Sequence, residues 1–235
     1  MSSSAWATRM FGFDVLDCTV DGGAAVTDLV LPGLRRNPRR AHLLVSTVLG
    51  KHIAAAPASV IAAGHRLGAS IRAFVGGDID VDVLGMAETA TGLGHCVADR
   101  LEAAVYVHTT RRQALPAQIY AGFQEGHSHA TDHTLQPTGT DLLGLPRPLV
   151  IVDDEISTGT TALAAIKVLH RRQPRSSYIV ASLVDVRETH HDHAVAETAE
   201  DLGVRIDHVS LATEHLLTAS RRPPEPPRAR SPPTG

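Results

Sequence analysis

Leu149-Val150-Ile151-Val152-Asp153-Asp154-Glu155-Ile156-Ser157-Thr158-Gly159-Thr160-Thr161 is the stretch whose reading decides the fold. Leu149 to Asp153 is a short apolar run, the pattern of a strand buried on both faces. A hydroxyl-rich turn follows, and Thr160 to Arg172 then reads as a helix. In open parallel sheets ligands bind beyond the carboxyl ends of the strands, where Asp153 and Asp154 fall. Gly159 lets the backbone approach a ligand closely. The first amides of the helix have no internal partner and point outward. Ser157, Thr158, Gly159, Thr160 and Thr161 therefore form a cradle for a phosphate, helped by the helix dipole. The dipole contributes ~0.3–1 kcal/mol against ~1.5–3 kcal/mol for each charge-assisted hydrogen bond, so the bonds dominate. Asp153 and Asp154 would repel that phosphate; adjacent carboxylates suit sugar hydroxyls, which donate, or a Mg²⁺ ion. Phosphate, vicinal hydroxyls and Mg²⁺ together describe a phosphorylated ribose. A Walker A loop is the natural rival, but the lysine after its glycine is missing.

The same alternation runs along the chain in both directions. Upstream, Phe11 to Val20 reads as a strand, Leu43 to Val48 as a short apolar segment, and Ala58 to Phe74 as a helix preceded by Pro57. Asp80 to Met86, Leu93 to Ala103 and Ala104 to Thr109 read as strand, helix and strand. Arg111 to Arg147 is a long polar segment. Downstream, Ser177 to Asp185 reads as a buried strand, Ala194 to Leu202 as a helix stopped by Gly203, and Val204 to Leu211 as a last strand. Strands alternating with single helices predict an α/β fold with a parallel sheet flanked by helices. Arg221 to Gly235 is proline-rich and without periodicity, which predicts a disordered tail.

Totals narrow the function classes. A net charge of -3 and only 3 % aromatic residues argue against a general nucleic-acid binder, which needs a basic face or stacking platforms. Two distant cysteines, Cys18 and Cys96, make neither a disulfide framework nor a cysteine-rich zinc site. No uncharged stretch approaches a membrane span, and Met1 to Arg9 lacks the apolar run of a signal peptide. The expectation is a soluble, cytoplasmic protein with no nucleic-acid or membrane partner.

The 149–161 segment resembles the signature with which type I phosphoribosyltransferases bind phosphoribosyl pyrophosphate (PRPP). The resemblance implies the type I fold with a small N-terminal hood. It also implies that Asp153 and Asp154 contact the ribose hydroxyls and that Ser157 to Thr161 hold the 5-phosphate. Hypoxanthine–guanine enzymes carry an aspartate where Ser157 stands, and serine cannot act as that acid or base, which argues against a 6-oxopurine acceptor. Gly85 to Gly94 is similar to the family's pyrophosphate loop, with Ala87, Glu88 and Thr89 as contacts. Glu88 is odd there, since a carboxylate repels pyrophosphate; orienting Mg²⁺ or a substrate amine are the roles open to it.

By the same resemblance Arg111 and Arg112 reach the pyrophosphate, and Gln113 to Leu145 is a flexible catalytic loop that closes over PRPP. His127, His129 and His133 lie in it, and two roles stand open for them: shielding pyrophosphate, or binding a metal with Asp132. A closer similarity, over Leu31 to Glu188, is to phosphoribosyltransferases encoded in tellurite-resistance-type stress operons. It rests on Arg36 to Arg40, Val45 to His52, Gly85 to His95, His108 to Arg112, Glu125 to His133 and Val152 to Thr161. It implies three parts: an N-terminal segment and hood (1–57) with Ser46, Lys51 and His52 near the pocket, a core (58–218), and the proline-rich tail (219–235). The implied activity is Mg²⁺-dependent transfer of a phosphoribosyl group from PRPP to a base-like or amine acceptor, in a homodimer. A PRPP-sensing regulator on the same fold is the alternative.

Overall fold

A computed structural model of the chain describes residues 13–14, 26–34, 42–112, 119–124, 132–139, 143–213 and 217–218. In chain order the elements are β1 (Phe13–Asp14), α1 (Val26–Leu29), β2 (Val30–Leu34), β3 (His42–Ser46), α2 (Pro57–Val75), β4 (Asp82–Gly85), α3 (Ala90–Leu101) and β5 (Val105–His108). They continue with β6 (Ala121–Gln124), β7 (Asp132–Leu135), β8 (Leu149–Ile156), α4 (Thr160–Arg172), β9 (Ser177–Asp185), α5 (Asp192–Leu202), β10 (Arg205–Thr213) and β11 (Leu217–Thr218).

The centre is a five-stranded sheet in the order β10-β9-β8-β4-β5, parallel throughout. Leu149, Val150, Ile151 and Val152 are fully buried, as an apolar run in the middle of a two-sided sheet must be. From β4 the chain steps outward through α3 to β5. From β8 it steps the other way, through α4 and α5, to β9 and β10. Right-handed crossovers running in opposite directions put their helices on opposite faces. Accordingly α3 packs with α2 on one face, and α4 packs with α5 on the other. Between β4 and β8 the strand order reverses, and an open α/β sheet has its ligand crevice at such a point.

Helix α2 begins at Pro57, whose missing N–H costs nothing at a first-turn position. It ends at Gly76, which takes the left-handed conformation (φ 84°) and closes the last turn onto Ala73. Ala63, Leu67 and Ile71 face the core at helical spacing. Gly64 and Gly68 face α3: a Cβ on Gly64 would lie 2.3 Å from Cys96 Cβ, so the two helices touch backbone to backbone.

At the amino edge of the sheet a buried ion pair ties three strands together. Arg175, just before β9, donates to Asp82 Oδ2 of β4 at 2.8 Å and to the Leu143 carbonyl at 3.0 Å. It also donates to the Arg147 carbonyl ahead of β8.

One expectation is corrected. Within Gln113 to Leu145, expected as a flexible loop, lies the antiparallel hairpin β6–β7, with Ala121, Phe123, His133 and Leu135 buried and β6 packed on α4. The strands are four residues each, too short for a periodic signal, and carry Gly122 and Thr134 among their apolar positions. Of the strand expected over Phe11 to Val20, Phe13–Asp14 pairs with Leu217–Thr218 and the rest lies outside the described residues. The tail expected at 219–235 lies outside the described residues, as do His127 and His129.

Candidate active site

Two strand–loop–helix junctions meet at the reversal point. The loop after β4 (Met86 to Thr89, leading into α3) starts beside Val152 of β8, and β8 runs on to its own loop (Ser157 to Gly159, leading into α4). The Met86 amide donates to the Val152 carbonyl at 2.9 Å, which continues the β4–β8 pairing to the edge of the crevice.

Asp153 and Asp154 stand near the carboxyl end of β8, both half-buried. The Asp154 amide donates to Asp153 Oδ1 at 2.9 Å. Burial pushes the Asp153 carboxyl well above the usual carboxylate range, and the neighbouring Asp154 carboxylate pushes it the same way. The pair thus suits a ligand that offers hydroxyl donors or positive charge.

Gly159 precedes α4 with φ 75°, a left-handed conformation that favours glycine. No side chain caps the helix start. The hydroxyls of Thr158 and Thr160 lie 2.9 Å apart, and Thr160 N sits 3.4 Å from Thr158 Oγ1. Ser157 and Thr160 are exposed, so hydroxyls and first-turn amides gather at one solvent-facing turn. Behind Gly159 runs Arg187, whose Cδ would lie 3.5 Å from a Cβ at that position. Its guanidinium is taken up by Asp185 (2.8–3.1 Å) and Asp192 (3.1 Å), so it braces the turn rather than offering free charge.

In the β4 loop, Ala87 is buried, Glu88 exposed and Thr89 half-buried. The Ala87 amide points inward, donating to Thr109 Oγ1 at 2.8 Å, so it is not offered to a ligand. The Ala87–Glu88 peptide is cis. Lys51 reaches this loop from the N-terminal segment: its Nζ donates to Thr89 Oγ1 at 3.0 Å and lies 3.8 Å from Glu88 Oε2. The odd carboxylate therefore has a cation beside it. Of the other two hood candidates, Ser46 is buried with its hydroxyl accepting from the Val48 amide at 3.2 Å, and His52 is exposed.

The glycines of this region serve packing more than the loop. A Cβ on Gly94 would meet Gly85 Cα at 2.9 Å, and one on Gly85 would meet the Tyr106 hydroxyl at 2.8 Å. They let α3 lie close on β4.

Arg111 and Arg112 follow β5 and are exposed. His133, expected in a flexible loop, stands instead in β7 with 1 % of its surface exposed. Its Nδ1 is 3.0 Å from Thr109 Oγ1 and its Nε2 3.5 Å from an Arg111 nitrogen. Phe123 stacks on its ring at 5.1 Å. The burial of His133 was not legible because a lone histidine in a four-residue strand looks like its polar neighbours. Thr109 was likewise invisible, a hydroxyl at a strand end with no pattern around it. Among the described residues no group of three or more His, Cys, Asp or Glu is placed to hold a metal ion.

A doubly wound parallel α/β fold with paired strand–loop–helix junctions at its switch point defines the class. The phosphoribosyl transferase family model matches residues 29–215, and the chain belongs to that family. It is a phosphoribosyltransferase, an enzyme of the glycosyltransferase type. Solved structures agree on the fold. An adenine phosphoribosyltransferase from Giardia lamblia complexed with 9-deazaadenine is 18 % identical, with a TM-score of 0.52 over 80 % of this chain and 94 % of that one. The enzyme from Rhodothermus marinus is 20 % identical, with a TM-score of 0.51 over 79 % and 95 %. The enzyme from Trypanosoma brucei, in complex with AMP, pyrophosphate and ribose-5-phosphate, is 13 % identical, with a TM-score of 0.53 over 77 % and 76 %. No curated protein matches the sequence. Among the described residues no helix is long and apolar enough to cross a membrane.

Proposed function

We propose that the crevice between β4 and β8 binds PRPP and passes its phosphoribosyl group to a base-like or amine acceptor, releasing pyrophosphate. One observation carries this reading: the Asp153–Asp154 pair and the uncapped, hydroxyl-rich start of α4 share the carboxyl end of one strand, beside the loop of the next. The 5-phosphate takes the amides and hydroxyls of Ser157 to Thr161. The ribose diol donates to Asp153 and Asp154. The pyrophosphate faces Glu88 and Thr89, with Lys51, Arg111 and Arg112 supplying positive charge. The Trypanosoma brucei relative, which holds pyrophosphate and ribose-5-phosphate, supports the ligand class.

Mg²⁺ fits the donor set. Asp153 and Asp154 offer hard carboxylate oxygens, and a cation beside them would offset the burial and the repulsion that together raise Asp153. When bound, Mg²⁺ supplies charge neutralisation for the departing pyrophosphate. The chain's own residues position and stabilise. The α4 turn and the aspartates fix the ribose at both ends, and the cationic side chains meet the negative charge that builds as the C1–oxygen bond breaks. The nitrogen of the acceptor then bonds to C1.

The wider assignment includes a homodimer in the cytoplasm, a role in nucleoside-like metabolite synthesis under tellurite-type stress, and no nucleic-acid or membrane partner. The division is a hood over 1–57, a core over 58–218 and a tail over 219–235. His127, His129 and His133 belong to the segment that follows β5. The similarity of several phrases to stress-operon phosphoribosyltransferases supports these points.

Pyrophosphate release from PRPP, measured with a panel of bases and amines, tests the reading. Release with at least one acceptor is expected. Tight PRPP binding with no release across the panel would favour the regulatory alternative.

A further inference from the structure

We propose that His133 is a positioning residue that sets the β4 loop and Arg111 in register for the pyrophosphate of the ligand. The inference rests on the PRPP reading above and adds to it a residue from outside both loops.

The argument starts from donors and acceptors. A guanidinium only donates, so the contact between Arg111 and His133 Nε2 at 3.5 Å makes Nε2 the acceptor. The ring proton then lies on Nδ1, which donates to Thr109 Oγ1 at 3.0 Å. Thr109 Oγ1 also accepts from the Ala87 amide at 2.8 Å. One imidazole thus links the loop after β4 to the arginine after β5.

The link is rigid. His133 and Thr109 are each 1 % exposed, and Phe123 stacks nearly parallel on the imidazole at an interplanar angle of 3°. The strand ends are locked as well. The Thr109 amide donates to the Gly85 carbonyl at 3.0 Å, and Thr110 exchanges two backbone bonds with Thr134 at 2.8 and 2.9 Å. With the Ala87 amide drawn inward, Glu88 and Thr89 are left as the residues that face the crevice. The hairpin therefore decides which groups of the loop a pyrophosphate meets, and where the adjacent arginine stands.

The test compares two ligands. PRPP carries the pyrophosphate; ribose 5-phosphate lacks it but keeps the 5-phosphate and the diol. His133→Phe keeps the ring on Phe123 and removes the contacts to Thr109 and Arg111. Thr109→Val, nearly isosteric, removes the same link from the other side and stands in if His133→Phe does not fold. His133→Asn can still donate to Thr109 and serves as the conservative rescue. By calorimetry with Mg²⁺, His133→Phe and Thr109→Val should each weaken PRPP by about tenfold, the worth of one well-placed hydrogen bond. Ribose 5-phosphate should change by less than about twofold, and His133→Asn should recover part of the PRPP loss. Equal weakening of both ligands would mean a merely structural role and overturn the proposal, as would unchanged PRPP affinity in both variants. If the unmodified protein binds neither ligand, the PRPP reading fails first and takes this inference with it.

Discussion

The Met86 amide donates to the Val152 carbonyl at 2.9 Å, and this bond sets the start of the β4 loop beside the Asp153–Asp154 pair. Met86 opens the loop after β4, and Val152 is the last residue before Asp153. Any ligand that spans the crevice touches a loop anchored on each strand. The geometry suits a molecule with anionic groups at both ends and hydroxyls between them.

Gly159 tests the phosphate turn. Its nearest neighbours leave room for a methyl group, the closest being Arg187 Cδ at 3.5 Å, so the cost of Gly159→Ala comes from φ 75° and not from a clash. A non-glycine residue in the left-handed region costs about 1–2 kcal/mol. Urea unfolding should show a loss of that size, and calorimetry should show ribose 5-phosphate binding about tenfold weaker as the turn relaxes.

Lys51 tests the charge of the proposed pyrophosphate loop. The pair with Glu88 is solvent-exposed, so Lys51→Met should change the urea midpoint very little; exposed pairs contribute about 0–1 kcal/mol. PRPP affinity should fall about tenfold at low salt, because Glu88 loses its counter-charge and repels the ligand. Glu88→Gln in the same background should restore part of it.

Asp153 predicts a pH dependence. Its folded carboxyl is raised well above the usual 3.8, so between that value and the raised one the folded protein binds more protons than the unfolded chain. Its contribution to stability is therefore fully present below the unfolded value and lost as pH rises through the folded one. Asp153→Asn should remove this downward slope in unfolding free energy against pH. A ligand that donates hydroxyls or brings Mg²⁺ prefers the ionised form, so PRPP binding should release protons. Calorimetry in buffers of different ionisation enthalpy should detect the release, and it should vanish in Asp153→Asn.

The parallel sheet and the strand–turn–helix at its centre were legible because Leu149 to Thr161 concentrates their signals: a two-sided apolar run, a carboxylate pair and a glycine before a helix. The structure keeps the predicted boundaries of α4 and β9 unchanged. The hairpin was not legible, since burial of Ala121, Phe123 and Leu135 depends on α4 and the sheet edge rather than on local period. The packing role of Gly85 and Gly94 was not legible, because sequence shows only that a side chain is absent. That they face each other is a tertiary fact. The function of Glu88 was opaque for the same reason, as its counter-charge lies 37 positions away at Lys51 (88 − 51).

Arg175 separates stability from binding. It is buried against Asp82 at the amino edge, opposite the crevice. Arg175→Ala strands a buried carboxylate, which costs about 3–5 kcal/mol in other buried pairs. Arg147, 3.5 Å from Asp82 Oδ1, keeps the expected loss near the lower end. Urea unfolding should show it, while PRPP affinity of the folded protein stays unchanged.

The most direct measurement is calorimetric titration of Mg²⁺ and PRPP into the double variant Asp153→Asn, Asp154→Asn. Both changes remove charge from a pair whose members repel each other, so the variant should melt no lower than the unmodified protein. Its affinity should nevertheless fall by about a hundredfold or more, the loss expected when two charge-assisted hydrogen bonds to the ribose diol are weakened. Equal affinity in the two proteins would contradict the account.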